Sequence, residues 1–163
     1  MKRTILSRLV LALAITGMPA PAAAGDDAPA LSRVVSSGTL RVGMSGNQPP
    51  FNMVSKSGEV IGYDVDLANM LASAMGVELE IVTKPFPQLL PALAKGEVDA
   101  VMSGLTMTPK RNLKAAFVGP YMVSGKSILT KSATLAAISE AEELDRSSLT
   151  VVALKDSTSQ RFA

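Results

Sequence analysis

The chain of 163 residues has no cysteine and no histidine. Without cysteine there is no disulfide, no thiolate catalysis and no Cys-ligated metal. Without histidine there is no Ser-His-Asp triad and no His-ligated zinc. A long apolar run is also lacking: the stretch Leu9–Met18 covers ten residues, half of the ~20 that a membrane span needs. The formal charge of +2 is largely owed to the first 24 residues, which hold Lys2, Arg3 and Arg8 and no acid. Past them stand 13 basic against 14 acidic residues, a net charge of −1. That balance removes the electrostatic case for nucleic acid or an acidic membrane surface. No internal repeat interrupts the chain. The nine methionines read as core filling plus the initiator, not as a copper site.

What is present begins with a secretory pattern. A basic start, the apolar Leu9–Met18 and the small residues Ala22-Ala23-Ala24 read as a signal peptide over residues 1–24. No cysteine follows it, so a lipid anchor is not expected. Residues 25–38 read as a flexible mature N-terminus, with a short helical lead-in at Leu31–Val35.

An alternation of strands and helices follows. Thr39–Gly43 is a first strand, Ser45–Phe51 a loop, and Lys56-Ser57-Gly58-Glu59 a turn. Asp64–Met75 carries apolar residues at spacings of three and four and is the clearest helix, with Gly76 as its stop. Asp64 and Asp66 read as capping or solvated carboxylates; two residues apart on a helix, they do not face each other for acid–base work. Val77–Val82 alternates strictly as a second strand, Pro87–Lys95 is a second helix with Pro91 in its first turn, and Asp99–Met102 is a third strand. Further on, Ser127–Thr130 looks extended, Ser139–Leu144 a short helix, and Leu149–Leu154 an apolar strand before a last helix. The order strand–helix–strand–helix–strand, with short connections, predicts an α/β fold with parallel crossovers.

The run Ser103-Gly104-Leu105-Thr106-Met107-Thr108-Pro109-Lys110-Arg111 is the most informative segment. It leaves the third strand and enters a helix, with Thr108 at the N-cap and Pro109 in the first helical position. Hydroxyls, free backbone and a guanidinium thus converge on one helix start, a place to hold a small carboxylate. Local turn capping is the plainer reading of Ser103 and Thr106, and a solvated first-turn residue that of Arg111.

In combination, "LRVGMSGNQPPFN", "GEVIGYDVDLANMLA", "LPALAKGEVDAVMSGLTMTPKR" and "FVGPYMVSGKSILT" resemble the bacterial extracellular solute-binding proteins of polar amino-acid uptake. The resemblance runs from about Leu40 to the end. It implies a two-lobed, periplasmic-binding-protein-like (type II) α/β fold with the ligand between lobes. Lobe one would span 39–125, and 126–163 would hold the crossover and the start of lobe two. It implies a monomeric periplasmic protein that delivers an amino acid to the membrane permease of an ABC transporter, without cofactor or catalysis. By similarity, Arg111 pairs with the ligand's α-carboxylate, while Ser103, Gly104 and Thr106 hold its amino and carboxylate ends. Phe86 resembles an aromatic that covers the ligand, an ordinary core Phe being the alternative. Gln48 stands where many relatives have an aromatic. Ser45 stands where binders of cationic amino acids tend to carry an acid. Thr158, with Ser157, matches a lobe-two loop that donates to the carboxylate, and relatives often have Gly where Asp156 stands. The resemblance also admits a dehydratase of cyclic amino-acid precursors, or a module of a sensor or cell-wall enzyme. Measured against such relatives, the chain is expected to be a fragment that lacks the return strand of lobe one and most of lobe two. Isolated, it is expected to be marginally stable or aggregation-prone. Reversible, cooperative melting of a soluble monomer would contradict that expectation.

Overall fold

The computed structural model describes residues 29–138 and 148–163. The signal-peptide reading and the helix expected at Ser139–Leu144 lie outside the described residues.

Strand β1 (Thr39–Met44) is the centre of the fold. It pairs in parallel with β5 (Glu78–Thr83) on one side and β6 (Ala100–Val101) on the other. Its alternate residues Leu40, Val42 and Met44 are all buried. They pack with Val34 and with Val65, Ala68 and Ala72 of helix α2 (Tyr63–Met75). On the opposite face lies Gly43, where an added Cβ would stand 3.3 Å from Leu89 Cδ2. The missing side chain lets α3 (Leu89–Ala94) lie directly on the strand. A single 3₁₀ turn, Phe86–Gln88, leads into α3, and Pro91 falls in its first turn as expected. In β5 the alternation is visible as half-buried Leu79 and Ile81 between exposed Glu78 and Glu80.

Three expectations need correction. First, residues 25–38 are not flexible throughout: Ala30–Ser37 form helix α1, and Val34 is buried in the core. An ionic clamp holds it. Asp99, at the entry to β6, accepts from Arg33 Nη2 (2.8 Å) on α1 and from Arg41 Nη2 (2.8 Å) and Nε (3.0 Å) on β1. It also takes the Arg41 backbone N–H at 3.0 Å. Second, the loop expected at Ser45–Phe51 contains strand β2 (Asn47–Gln48). With β3 (Asn52–Val54) and β4 (Val60–Ile61) it forms a small antiparallel sheet. Strands of two and three residues are too short to leave a periodicity in the sequence.

Third, Leu149–Leu154 carries no strand pairing, and Val152 is 90% exposed. A strand needs a ladder partner for its backbone, and the described residues supply none there. Ser127–Thr130 is likewise unpaired and exposed, with Thr130 half-buried. Four-residue α4 (Pro109–Asn112), α5 (Ala133–Ala136) and α6 (Thr158–Phe162) complete the described elements. The helix expected beyond Arg111 is thus a single turn.

The clamp on Asp99 generates a prediction. Burial alone would raise its pKa, but the hydrogen bonds from Arg41 and Arg33 and the Arg41 charge hold it down at about 2, against an ordinary 3.8. A carboxyl whose pKa is depressed by folding stabilises the folded state above its unfolded pKa, and that contribution disappears as pH falls towards the folded value. Asp99→Asn is therefore expected to cost about 2 kcal/mol at pH 7 in urea unfolding, with the deficit shrinking between pH 4 and pH 2. A deficit that stays constant over that range would contradict the clamp.

Candidate ligand-binding site

Because β1 and β6 are parallel neighbours, their C-terminal ends deliver Ser45 and Ser103 side by side. The Ser45 backbone N–H donates to Ser103 Oγ at 3.0 Å. Asn52, from the first position of β3, sits between them and is fully buried. Its Oδ1 accepts from the Gly46 N–H (2.7 Å) and from Ser45 Oγ (3.1 Å). Its Nδ2 donates to Asp64 Oδ2 (2.7 Å) and Ser103 Oγ (3.3 Å). All four hydrogen-bonding positions of the amide are used. Gln48 Oε1 closes the network on Ser103 Oγ at 2.9 Å.

Asp64 is therefore neither a cap nor solvated, as the sequence reading had it. It is fully buried, and it accepts from Tyr121 Oη at 2.9 Å as well as from Asn52. The start of α2 is secured by backbone instead: the N–H groups of Tyr63 and Asp64 donate to the carbonyls of Pro50 and Phe51. That close approach explains Gly62 at φ 130°, where a Cβ would lie 2.5 Å from the Phe51 carbonyl oxygen. The Gly104 N–H donates to Tyr121 Oη (3.3 Å), and the Tyr121 ring lies 6.0 Å from that of Tyr63. Burial and the adjacent Asp64 carboxylate push the Tyr121 hydroxyl above its ordinary pKa, so it stays a proton donor to Asp64.

Arg111 follows Ser103 by eight residues, in the single-turn helix α4. It is 8% exposed. Thr108 caps α4 as expected, its Oγ1 accepting the Arg111 backbone N–H at 3.3 Å. The helix start therefore spends that N–H on its own cap, and a helix of four residues offers little dipole; anion recognition falls on the guanidinium. Nη1 donates to the Thr106 carbonyl (2.9 Å) and Nη2 to the Asp156 carbonyl (3.1 Å). The guanidinium carbon stands 5.6 Å from the centroid of buried Phe86. The ion pairs among the described residues join Arg33 and Arg41 to Asp99, and Lys84 and Lys95 to Glu97; Arg111 is in none of them. Desolvation, then the charge of Arg161, lower its pKa. Arg111 is thus a desolvated cation held by two carbonyls and an aromatic face, without a carboxylate among the described residues.

An open cleft of about 270 Å³ lies against Arg111, floored by Phe86, Leu90 and Leu105 and rimmed by Lys110, Asp156 and Arg161. Of the residues picked from the sequence, the structure brings Arg111, Phe86, Thr106 and Thr158 together. Thr106 Oγ1 and Thr158 Oγ1 are 3.4 Å apart. Ser103, Gln48 and Gly104 belong to the network behind: Ser103 is fully buried, and Gly104 faces the Phe51 ring and Tyr121. Sequence reasoning missed Asn52, Tyr121 and the carbonyl of Asp156. The last had a signal: the resemblance implies a glycine where Asp156 stands, and Asp156 adopts φ 59°, the left-handed region that favours glycine.

A parallel α/β unit whose strand ends carry an anion receptor, opposed across a cleft by a second capped helix, defines the half-site of a two-lobed small-molecule binder. The chain belongs to the bacterial extracellular solute-binding proteins, family 3, which residues 40–158 match. Its fold is accordingly the two-lobed periplasmic-binding-protein fold. It is 32% identical to a cyclohexadienyl dehydratase of Pseudomonas aeruginosa over 95% of this chain and 58% of that protein. It is 32% identical to the L-cystine-binding protein TcyJ of Escherichia coli over 70% of this chain and 43% of that protein. Among solved structures, the ancestral amino-acid-binding protein AncCDT-1 superposes with a TM-score of 0.57 at 43% identity, covering 58% of this chain and 42% of that one. The arginine-bound form of domain 1 from TmArgBP gives a TM-score of 0.54 at 43% identity, over 55% of this chain and 71% of that one. The chain thus spans about half the length of the curated relatives it matches.

The network predicts unequal costs. Asn52→Ala strips two acceptor sites and both donors, leaving Asp64 and Ser103 short of a partner, and is expected to cost about 3 kcal/mol in urea unfolding. Tyr121→Phe removes one donor at a partly exposed ring and is expected to cost about 1 kcal/mol. Equal losses for the two variants would contradict the central place given to Asn52.

Proposed function

We propose that this chain binds an amino acid or a similar small carboxylate, with Arg111 receiving the α-carboxylate. The observation that carries the reading is the buried Arg111 guanidinium without a carboxylate partner among the described residues. Two of its N–H groups are given to carbonyls. Of the five that a guanidinium owns, three remain for a ligand. The Thr106 and Thr158 hydroxyls face each other beside the carbonyl that holds Arg111, and Phe86 lines the cleft. Ser103, Gly104 and Gln48 act one layer back, holding the loop that carries Arg111.

Relatives support the reading. Proteins similar to this one are an L-cystine-binding protein and an arginine-binding protein of Escherichia coli and a probable histidine-binding protein of Neisseria gonorrhoeae. The arginine-bound form of domain 1 from TmArgBP supports binding by a first lobe alone. In a whole protein of this family, we read the role as capture in the periplasm after export by residues 1–24. Lobe one would run to about residue 125, and closure of the second lobe over the ligand would create the form that docks on an ABC-transporter permease. The chain acts as a monomer in this reading and makes or breaks no bond.

One observation favours a second reading: the cyclohexadienyl dehydratase matches 95% of this chain. Loss of water from a bound ligand, seen as a new product by mass spectrometry, would move the assignment to an enzyme.

Calorimetric titration with a panel of amino acids tests the proposal. One or more is expected to bind, Arg111→Met to abolish binding, and Arg111→Lys to weaken it about tenfold or more through loss of the two-pronged contact. Undiminished binding by Arg111→Met would overturn the assignment.

A further inference from the structure

We propose that the ligand of this cleft carries a second negative group besides its α-carboxylate: it is an acidic amino acid or a comparable small dicarboxylate, and not an amino acid with a cationic side chain. The inference deepens the reading of Arg111 as carboxylate receptor and rests on it. Three further cations, Lys110, Lys114 and Arg161, line the same cleft, against one acidic side chain, Asp156. None of the three is in an ion pair among the described residues; those pairs lie around Asp99 and Glu97. The carbonyl of Asp156, not its carboxylate, meets Arg111.

The positive groups come from both sides of the cleft. Lys110 and Lys114 flank Arg111 on one side, and Arg161 sits on α6 on the other. Arg161 lies close enough for its charge to add to the desolvation of Arg111. One carboxylate on Arg111 leaves the rest of this field unanswered. A second carboxylate on the ligand would answer it, whereas a cationic side chain would add a fifth like charge. Phe86, Leu90 and Leu105 form an apolar floor, which lowers the local dielectric and sharpens the discrimination. The cleft has a volume of about 270 Å³, room enough for an amino acid.

The test is calorimetric titration of the full chain at low salt with L-glutamate, L-aspartate, L-glutamine and L-arginine. Glutamate or aspartate is expected to bind about tenfold or more tighter than glutamine, and arginine weakest. The preference is expected to shrink as ionic strength rises. In the double variant Lys114→Gln, Arg161→Gln, acidic ligands are expected to lose about tenfold more affinity than glutamine does, so that the preference shrinks to within about threefold. Glutamine or arginine binding as tightly as glutamate would overturn this inference while leaving the carboxylate-receptor reading intact, provided that Arg111→Met still abolishes binding. Absence of binding by all four would overturn this inference, and absence of binding across the whole amino-acid panel would overturn the carboxylate-receptor reading as well.

Discussion

The Asn52 side chain is the joint on which the remaining structure depends. A buried amide has two acceptor positions and two donors, and here each is matched by one partner. The partners come from three places that are distant in sequence from one another, the turn after β1, the turn after β6 and the first turn of α2, and Asn52 ties them to its own small antiparallel sheet. Apolar packing positions these elements only to within a range of sliding and tilt. The hydrogen bonds select one arrangement, because any shift leaves a buried donor or a carboxylate unpaired. The loop from Ser103 to Arg111 starts from that joint, so Asn52 helps to fix where the loop that carries the guanidinium begins.

The two charged centres of the chain follow opposite rules. Asp99 is compensated by two guanidiniums and a backbone N–H, and it fastens α1, β1 and β6 to one another. Arg111 is desolvated without compensation by an acid among the described residues. Two carbonyls and the face of Phe86 offset part of that cost. The remainder is an attraction held ready for an anion. Placing such an uncompensated cation in a cleft weakens folding and strengthens binding, the division of labour expected of a binding site.

Long periodic elements were legible from the sequence. Helix α2, the alternation of β5, the place of Pro91 and the Thr108 cap all follow from residue spacing and local chemistry, and the structure reproduces them. The choice of Arg111, Thr106, Phe86 and Thr158 came from a resemblance; in the structure Arg111 lies against Phe86 and the Thr106 carbonyl, and the Thr106 and Thr158 hydroxyls face each other. Features that rest on distant pairing were not legible. Asp64 reads as a helix cap because carboxylates are common there, yet its partners lie 12 and 57 residues away. Within residues 25–38, read as a flexible N-terminus, only a short helical lead-in at Leu31–Val35 was legible; the contact that fastens α1 is with Asp99, 66 residues on from Arg33. Leu149–Leu154 has the composition of a strand but no ladder partner among the described residues, and composition cannot supply one.

The central claim is that a desolvated guanidinium at position 111 selects a ligand by its α-carboxylate. Titrating the unaltered chain with its tightest amino-acid ligand and with the α-carboxamide of that same amino acid measures this directly. The amide keeps the side chain and the amino group and replaces only the charged acceptor. The account predicts that the amide binds about a hundredfold more weakly or not at all, since a neutral acceptor cannot satisfy an uncompensated cation. Equal affinities for the acid and the amide would contradict it.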